Sequence, residues 1–313
     1  MEDMKKEIII IVGPTAVGKT KYAIEAAKAL NGEIISSDSM QLYKFMDIGS
    51  AKPTPEEQAQ VQHYLVDEID PREPFSVAEY QKRAKEAIAE IFAKGKTPII
   101  SGGTGLYVNS LIYDMDFSAP PADKGYRQEL EKLAEEKGNM YLYEMLQEKD
   151  PESAKRIHFN NTKKIIRALE VVEQSGTGIK DFEESFVKTK DYSYKLIGLT
   201  RDREELYNRI DMRVDILMEM GLLDEIKGLL DMGLNADNIS MKGIGYKEII
   251  GYMNGEYDLE EAVYLVKRNS RRYAKRQMTW FRRYDDIQWL NISQFENDDE
   301  AIKEMLGWLK ENK

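Results

Sequence analysis

The 313-residue chain has no cysteine and only two histidines. Disulfides, thiolate zinc sites and cysteine nucleophiles are therefore excluded, and the lack of thiols suits a reducing compartment. No apolar run reaches the roughly 18 residues a membrane helix needs, and the opening MEDMKKEIII has no signal-peptide pattern, so a cytoplasmic protein is expected. Proline is scarce, at 9 residues thinly spread, and there is no internal repeat or low-complexity tract. A hydrophobic fraction of 42% then describes a packed chain of one large domain or two. Basic residues are outnumbered, 45 Lys and Arg against 56 Asp and Glu, for a formal net charge of −11. That sign ordinarily argues against a nucleic-acid partner.

One stretch breaks the balance. Between residues 267 and 283 there are eight Lys or Arg and no acid. Arg268, Arg272 and Arg276 recur at i,i+4 and so share a helix face, while Tyr273, Trp280 and Phe281 add aromatic surfaces. This suits a polyanion backbone with stacking on unpaired bases; pairing with an anionic patch elsewhere on the protein is the alternative.

What the sequence does carry, most plainly, is a phosphate loop. Residues 8–12 are apolar and β-branched, as in a buried parallel strand. They run into Gly13-Pro14-Thr15-Ala16-Val17-Gly18-Lys19-Thr20, which fits G-x-x-x-x-G-K-[ST], and helix formers follow at once. The glycines let backbone N–H groups and a helix N-terminus point at one place. Lys19 adds a mobile charge, and the Thr20 hydroxyl can hold Mg²⁺. The motif specifies a diphosphate or triphosphate without choosing between them.

Further along, Glu33-Ile34-Ile35-Ser36 reads as a second strand that delivers Ser37-Asp38-Ser39-Met40-Gln41 to the carboxyl edge of a sheet, where ligands of open α/β sheets bind. Asp38 is there a metal ligand, a general base, or simply an N-cap. Thr54-Pro55-Glu56-Glu57 and Ser76 each open a helix. His63 is assigned no chemistry. A strand at 97–100 ends in Ser101-Gly102-Gly103-Thr104-Gly105, a turn allowing close backbone approach to a ligand or tight packing. From about 116 the pattern changes to charged helical stretches at 126–137, 140–149 and 162–174, introduced by the break at 119–123 and closed by Ser175-Gly176-Thr177-Gly178. Strand character resumes at 194–199. The predicted class is α/β: a P-loop core with a mostly parallel sheet flanked by helices (1–115 and 191–313), plus a helical insertion at 116–190. Arg209 and Arg213 lie at i,i+4, close enough to share an anion, or else pair with surface acids such as Glu205.

Taken together, GPTAVGKT, SSDSMQLYKFMDIGSAKP, SGGTGLY, NNTKKIIRALE, the Arg209/Arg213 helix, MKGIGYKE and RRYAKRQMTWFRR resemble the tRNA isopentenyltransferases, the tRNA dimethylallyltransferase family, in its bacterial form. The motifs follow family order from about residue 8 to residue 290. Eukaryotic members carry a C-terminal zinc finger, which this cysteine-free chain lacks. The resemblance implies transfer of a dimethylallyl group from dimethylallyl diphosphate to the exocyclic amine of the adenosine 3′ to the anticodon. It implies Asp38 as general base, with the P-loop from Gly13 to Thr20, Mg²⁺ at Thr20, and Arg213 steadying the leaving diphosphate. It also implies tRNA contacts from Asp38, Ser39, Met40, Gln41 and Thr104 in the core. Others come from Arg127, Lys163, Lys164 and Arg167 in the insertion. Lys242, Gly245, Tyr246, Arg272, Arg276 and Gln277 complete them. The expected partners are the tRNA anticodon stem-loop and dimethylallyl diphosphate, with no membrane, and the expected state is a monomer. A small-molecule kinase shares the loop, Lys19, Thr20 and an acidic Asp38 but leaves the basic 267–283 cluster without a role. A non-enzymatic RNA-binding or nucleotide-switch protein is the other alternative.

Overall fold

Burial decides which runs become strands. The computed structural model, which describes residues 6–115, 117, 123–176, 178 and 187–310, builds one sheet of six strands. They are β1 (Glu7–Val12), β2 (Gly32–Ser36), β3 (His63–Tyr64), β4 (Thr97–Gly102), β5 (Ser193–Thr200) and β6 (Gln288–Asn291), in spatial order β3-β2-β4-β1-β5-β6. Every pairing is parallel. β1 lies inside the sheet, Ile9 opposite Ile99 on one side and Lys195 on the other. That is why its sequence is continuously apolar rather than alternating. The short edge strand β3 has no signal in the sequence; His63 serves it structurally, its ring Nδ1 lying 2.8 Å from the Val61 carbonyl oxygen.

Parallel strands need crossovers, and helices supply them. α1 (Lys19–Leu30), α2 (Pro55–Gln58), α3 (Val77–Ala93) and α4 (Gly105–Ile112) come first. Thr54 with Glu57 and Ser76 with Glu79 form capping boxes at α2 and α3, the start signals read from the sequence. Then come α5 (Lys124–Lys137), α6 (Asn139–Lys149), α7 (Pro151–Arg156) and α8 (Thr162–Ser175). Last are α9 (Arg203–Glu219), α10 (Leu222–Asp231), α11 (Tyr246–Met253), α12 (Leu259–Phe281) and α13 (Asp298–Lys310).

The chain divides into two compact units, Met1–Ile112 with Thr189–Lys313, and Tyr113–Lys188. The change of sequence pattern places these borders at 116 and 190. They lie slightly earlier because Tyr113 bridges Lys188 and the Asp114 amide donates to the Val187 carbonyl at 2.8 Å, closing the second unit on itself. The break at 119–122 and Thr177 of the closing turn fall outside the described residues. The first unit's core packs β1, β4 and β5 against α1, α9 and α13 through Ile11, Ile197, Leu199, Ile210 and Met305. The second has its own core, built on Leu130, Leu142, Leu146, Ile165 and Leu169. Among the described residues no helix is long and apolar enough to cross a membrane.

Candidate active site

The phosphate loop leaves β1 and is shaped from behind. A Cβ on Gly13 would lie 2.6 Å from the Leu199 carbonyl, so only glycine fits that crossing. Gly18 caps α1 at φ 112, a conformation side chains rarely take. Three cations occupy loop carbonyls: Lys19 Nζ donates to Pro14 (2.9 Å), Arg209 Nε to Ala16 (3.1 Å) and Arg201 Nε to Val17 (3.2 Å). With those oxygens engaged, the Lys19 and Thr20 amides that open α1 have no intrahelical acceptor, as at any helix start, whereas the Lys21 amide bonds the Gly18 carbonyl at 3.1 Å. Arg201, which the sequence reading passed over, is itself fixed by Glu205 at 2.5 Å and Asp298 at 2.9 Å.

Lys19 is half-buried, and the desolvation this brings pulls its ammonium from the usual 10.5 down to about 8; Asp38 opposes the shift and Arg213 adds to it. Its charge is nearly complete at pH 7, half lost at about pH 8 and lost further as pH rises. The affinity of the free protein for inorganic diphosphate should then fall by up to about tenfold per pH unit above pH 8. Calorimetric titrations from pH 7 to 10 would read this, and Lys19→Arg, which stays charged, should flatten the profile. A wild-type profile that is level to pH 10 contradicts it.

Two cavities open beside the loop, both within the first unit. One, of about 400 Å³, is lined by Gly18, Lys19, Thr20 and Gln41 among others. The other, of about 420 Å³, has apolar walls from Ile210, Val214, Leu217 and Val266, and a basic rim from Lys242, Lys247 and Arg276. Thr15, Asp38, Ala51, Arg213, Leu217 and Tyr273 line both, so the cavities meet at Asp38 and Arg213. Asp38 Oδ1 accepts from the Met40 amide at 2.8 Å and the Gln41 amide at 3.4 Å. That oxygen closes a turn rather than capping a helix, since the next helix begins only at Pro55, so the N-cap expectation does not hold. Arg213 is half-buried, and desolvation lowers its pKa, with Asp38 opposing. It shares a helix face with Arg209, as their spacing requires, but Arg209 is engaged by the Ala16 carbonyl and lines neither cavity.

Other expected residues divide by burial. Thr104 accepts the Ser39 amide at 3.1 Å and donates its own amide to Ser37, tying the β4 turn to the Asp38 turn. Gln277 is 5% exposed and spans the floor: its Oε1 accepts the Thr15 amide at 2.9 Å, and its Nε2 donates to the Gly103 carbonyl at 3.0 Å. Tyr246 is fully buried with its hydroxyl on Glu225. Neither Gln277 nor Tyr246 offers its side chain at the surface. Phe281, counted among the aromatic faces, is a core residue at 0% exposure, because it falls on the inner face of α12 with Ala274 and Gln277. Lys267 and Arg271 pair with Asp215 and Asp211 of α9, leaving Arg272, Lys275 and Arg276 exposed. Arg276 and Arg283 lie 5.6 and 5.3 Å from the ring centres of Tyr273 and Trp280.

In the second unit Arg127 donates from Nε and Nη2 to Glu170 (2.9 and 2.6 Å), and Arg167 lies 3.5 Å from the same carboxylate. Glu170 is fully buried, so both arginines answer an internal charge. Lys163 and Lys164, in the first turn of α8, are exposed.

This arrangement joins a cavity beside the G-x-x-x-x-G-K-T loop to an apolar chamber with a basic rim. The sequence profile of the family described as IPP transferase matches residues 41–284. The chain belongs to that family. The tRNA dimethylallyltransferase of Alkaliphilus oremlandii is 55% identical over 294 residues, 94% of each chain, and that of Clostridioides difficile 54% identical over 310 residues, 99% of each. Among solved structures, the tRNA isopentenylpyrophosphate transferase of Bacillus halodurans superposes with a TM-score of 0.73 at 45% identity, covering 97% of this chain and 96% of that one. A eukaryotic dimethylallyltransferase described as acting on tRNA gives 0.82 at 28% identity, covering 97% and 79%. The IPP transferase profile begins after the phosphate loop, but the full-length relatives span it.

Proposed function

We propose that the chain transfers the dimethylallyl group of dimethylallyl diphosphate to the exocyclic amine of the adenosine 3′ to the anticodon in tRNA. The observation that carries this reading is the wall shared by the two cavities. One side is a cradle for diphosphate and the other is apolar with a cationic rim, and Asp38 and Arg213 stand between.

The amine nitrogen attacks the allylic carbon, the carbon–oxygen bond breaks, and diphosphate leaves with the electron pair. The amine is a poor nucleophile because its lone pair is delocalised into the ring, so the proton it loses goes to Asp38 Oδ2. Charge growing on the bridging oxygen meets the amides of α1, Lys19 and Arg213, all held in place before the reaction. The adenine reaches Asp38 by leaving the stack of the anticodon loop, at a cost of a few kcal/mol. The exposed Arg272, Lys275 and Arg276 supply phosphate contacts, as Lys163 and Lys164 do from the second unit.

Magnesium fits the donor set. Thr20 offers a hydroxyl in the diphosphate cavity, and among the described residues no cluster of three or more His, Cys, Asp or Glu could hold a metal. Mg²⁺ beside phosphates commonly keeps several waters and takes few protein ligands, and the hydroxyl that ends a phosphate loop is one such ligand. Bound there by Thr20, it would neutralise part of the diphosphate charge.

Incubation of the purified protein with labelled dimethylallyl diphosphate, Mg²⁺ and unmodified tRNA should place label in the RNA and release diphosphate in equal amount. ATP hydrolysis without incorporation would instead mark a kinase and overturn the proposal.

A further inference from the structure

The loop at 47–51, between β2 and α2, forms part of the wall of both cavities through Ser50 and Ala51. It is an awkward piece of backbone: Ala51 sits at φ 48, where a residue with a side chain is strained. Such a conformation persists only if something outside the loop imposes it. Lys52 ties one end, at 2.6 Å from Asp47 and 2.7 Å from Asp67. The other constraint comes from α10. Glu225 Oε2 accepts the amides of Asp47 (2.7 Å) and Ile48 (2.6 Å), and Oε1 accepts the Gly49 amide (3.0 Å) and the Tyr246 hydroxyl (2.9 Å). The lengths are those of charge-assisted bonds. The Tyr246 ring lies so close that a Cβ on Gly49 would come within 2.5 Å of it. At the far end of the loop the Ala51 carbonyl accepts from Gln41 Nε2 at 3.2 Å and Arg213 Nη2 at 3.4 Å.

We propose that Glu225 is a positioning residue for the transfer reaction: it gathers three consecutive amides of the 47–51 loop, and the loop in turn seats Arg213 against the diphosphate through the Ala51 carbonyl. Glu225 itself lines neither cavity and touches no substrate. This rests on the reading of the activity given above. A glutamine in its place presents an NH₂ group toward amides that need an acceptor, so the loop loses its anchor while the helix keeps its shape.

Glu225→Gln should lower kcat of dimethylallyl transfer by about 10²-fold, the scale of a small misplacement of a catalytic group, with tRNA affinity unchanged. Because the effect passes through Arg213, it should vanish in an Arg213→Ala background, where adding Glu225→Gln changes kcat by less than about twofold. A merely structural role predicts the same loss in both backgrounds, and that result, or wild-type kcat in the single variant, overturns the proposal. Glu225→Asp keeps the charge on a shorter arm and should show a smaller loss with the same dependence on Arg213, so it serves if the glutamine variant does not fold. If the wild type proves inactive, it is the assigned activity that fails. Hydrogen exchange then still tests the clamp: the Asp47, Ile48 and Gly49 amides should exchange at least tenfold faster in either variant of the free protein, and unchanged protection refutes it.

Discussion

Asp38→Asn should lower single-turnover transfer by about 10²–10⁴-fold while tRNA affinity stays near that of the wild type. Asparagine is the informative replacement because Asp38 has two tasks on two oxygens. Its Oδ1 holds the turn through the Met40 amide at 2.8 Å, and an asparagine carbonyl accepts that bond equally well. The turn therefore survives, and with it the Ser39 amide bond to Thr104 that joins this loop to the end of β4. What disappears is a basic oxygen facing the chamber. Rapid-quench measurement with labelled dimethylallyl diphosphate, alongside filter binding of tRNA, separates the two tasks. An asparagine variant that transfers at the wild-type rate would remove Asp38 from the chemistry and leave it a turn residue.

Arg213→Ala should reduce kcat by about 10²–10³-fold, the usual consequence of deleting one preorganised donor to a developing anion. The half-buried guanidinium lines both cavities and desolvation lowers its pKa, so its charge acts with reduced screening. Arg213→Lys should recover only part of the rate, since an ammonium cannot make the planar, two-pronged contact. A second readout follows from the neighbouring cation. Arg213 is one of the groups lowering Lys19, so its removal should move the alkaline limb of diphosphate binding to higher pH. Unaltered kcat in the alanine variant would take Arg213 out of the leaving-group site.

Features whose cause is local in sequence were legible. The phosphate loop, the capping boxes at Thr54 and Ser76 and the apolar strand runs each carry their signal within a few residues. So did the division into a parallel α/β core and a helical insertion, because helical spacing replaces strand runs along the chain. The unread features depend on partners far away. Glu225 lies 178 residues from Asp47 and resembles any solvated acid in the first turn of a helix. Gln277 meets the Thr15 amide across 262 residues and sits in a basic run that invites an RNA role. Phe281 was misjudged through helical phase: with Ala274 and Gln277 it keeps the i, i+3, i+7 spacing of an inward stripe. β3 has two residues and α7 six, both too short for a periodic signal.

The interior place of β1 has a consequence for synthesis. Its neighbours are β4 and β5, and the second of these follows the whole helical insertion. At about 5–20 residues per second, a ribosome takes on the order of 10–40 s to travel from Ile9 to Lys195. Throughout that interval the most oily strand of the nascent protein has at least one bare flank, and two until β4 is made, the kind of edge that recruits stray chains. The helical unit, which gathers its own core from contiguous sequence, can fold in the meantime, but the catalytic half stays unfinished until β5 docks.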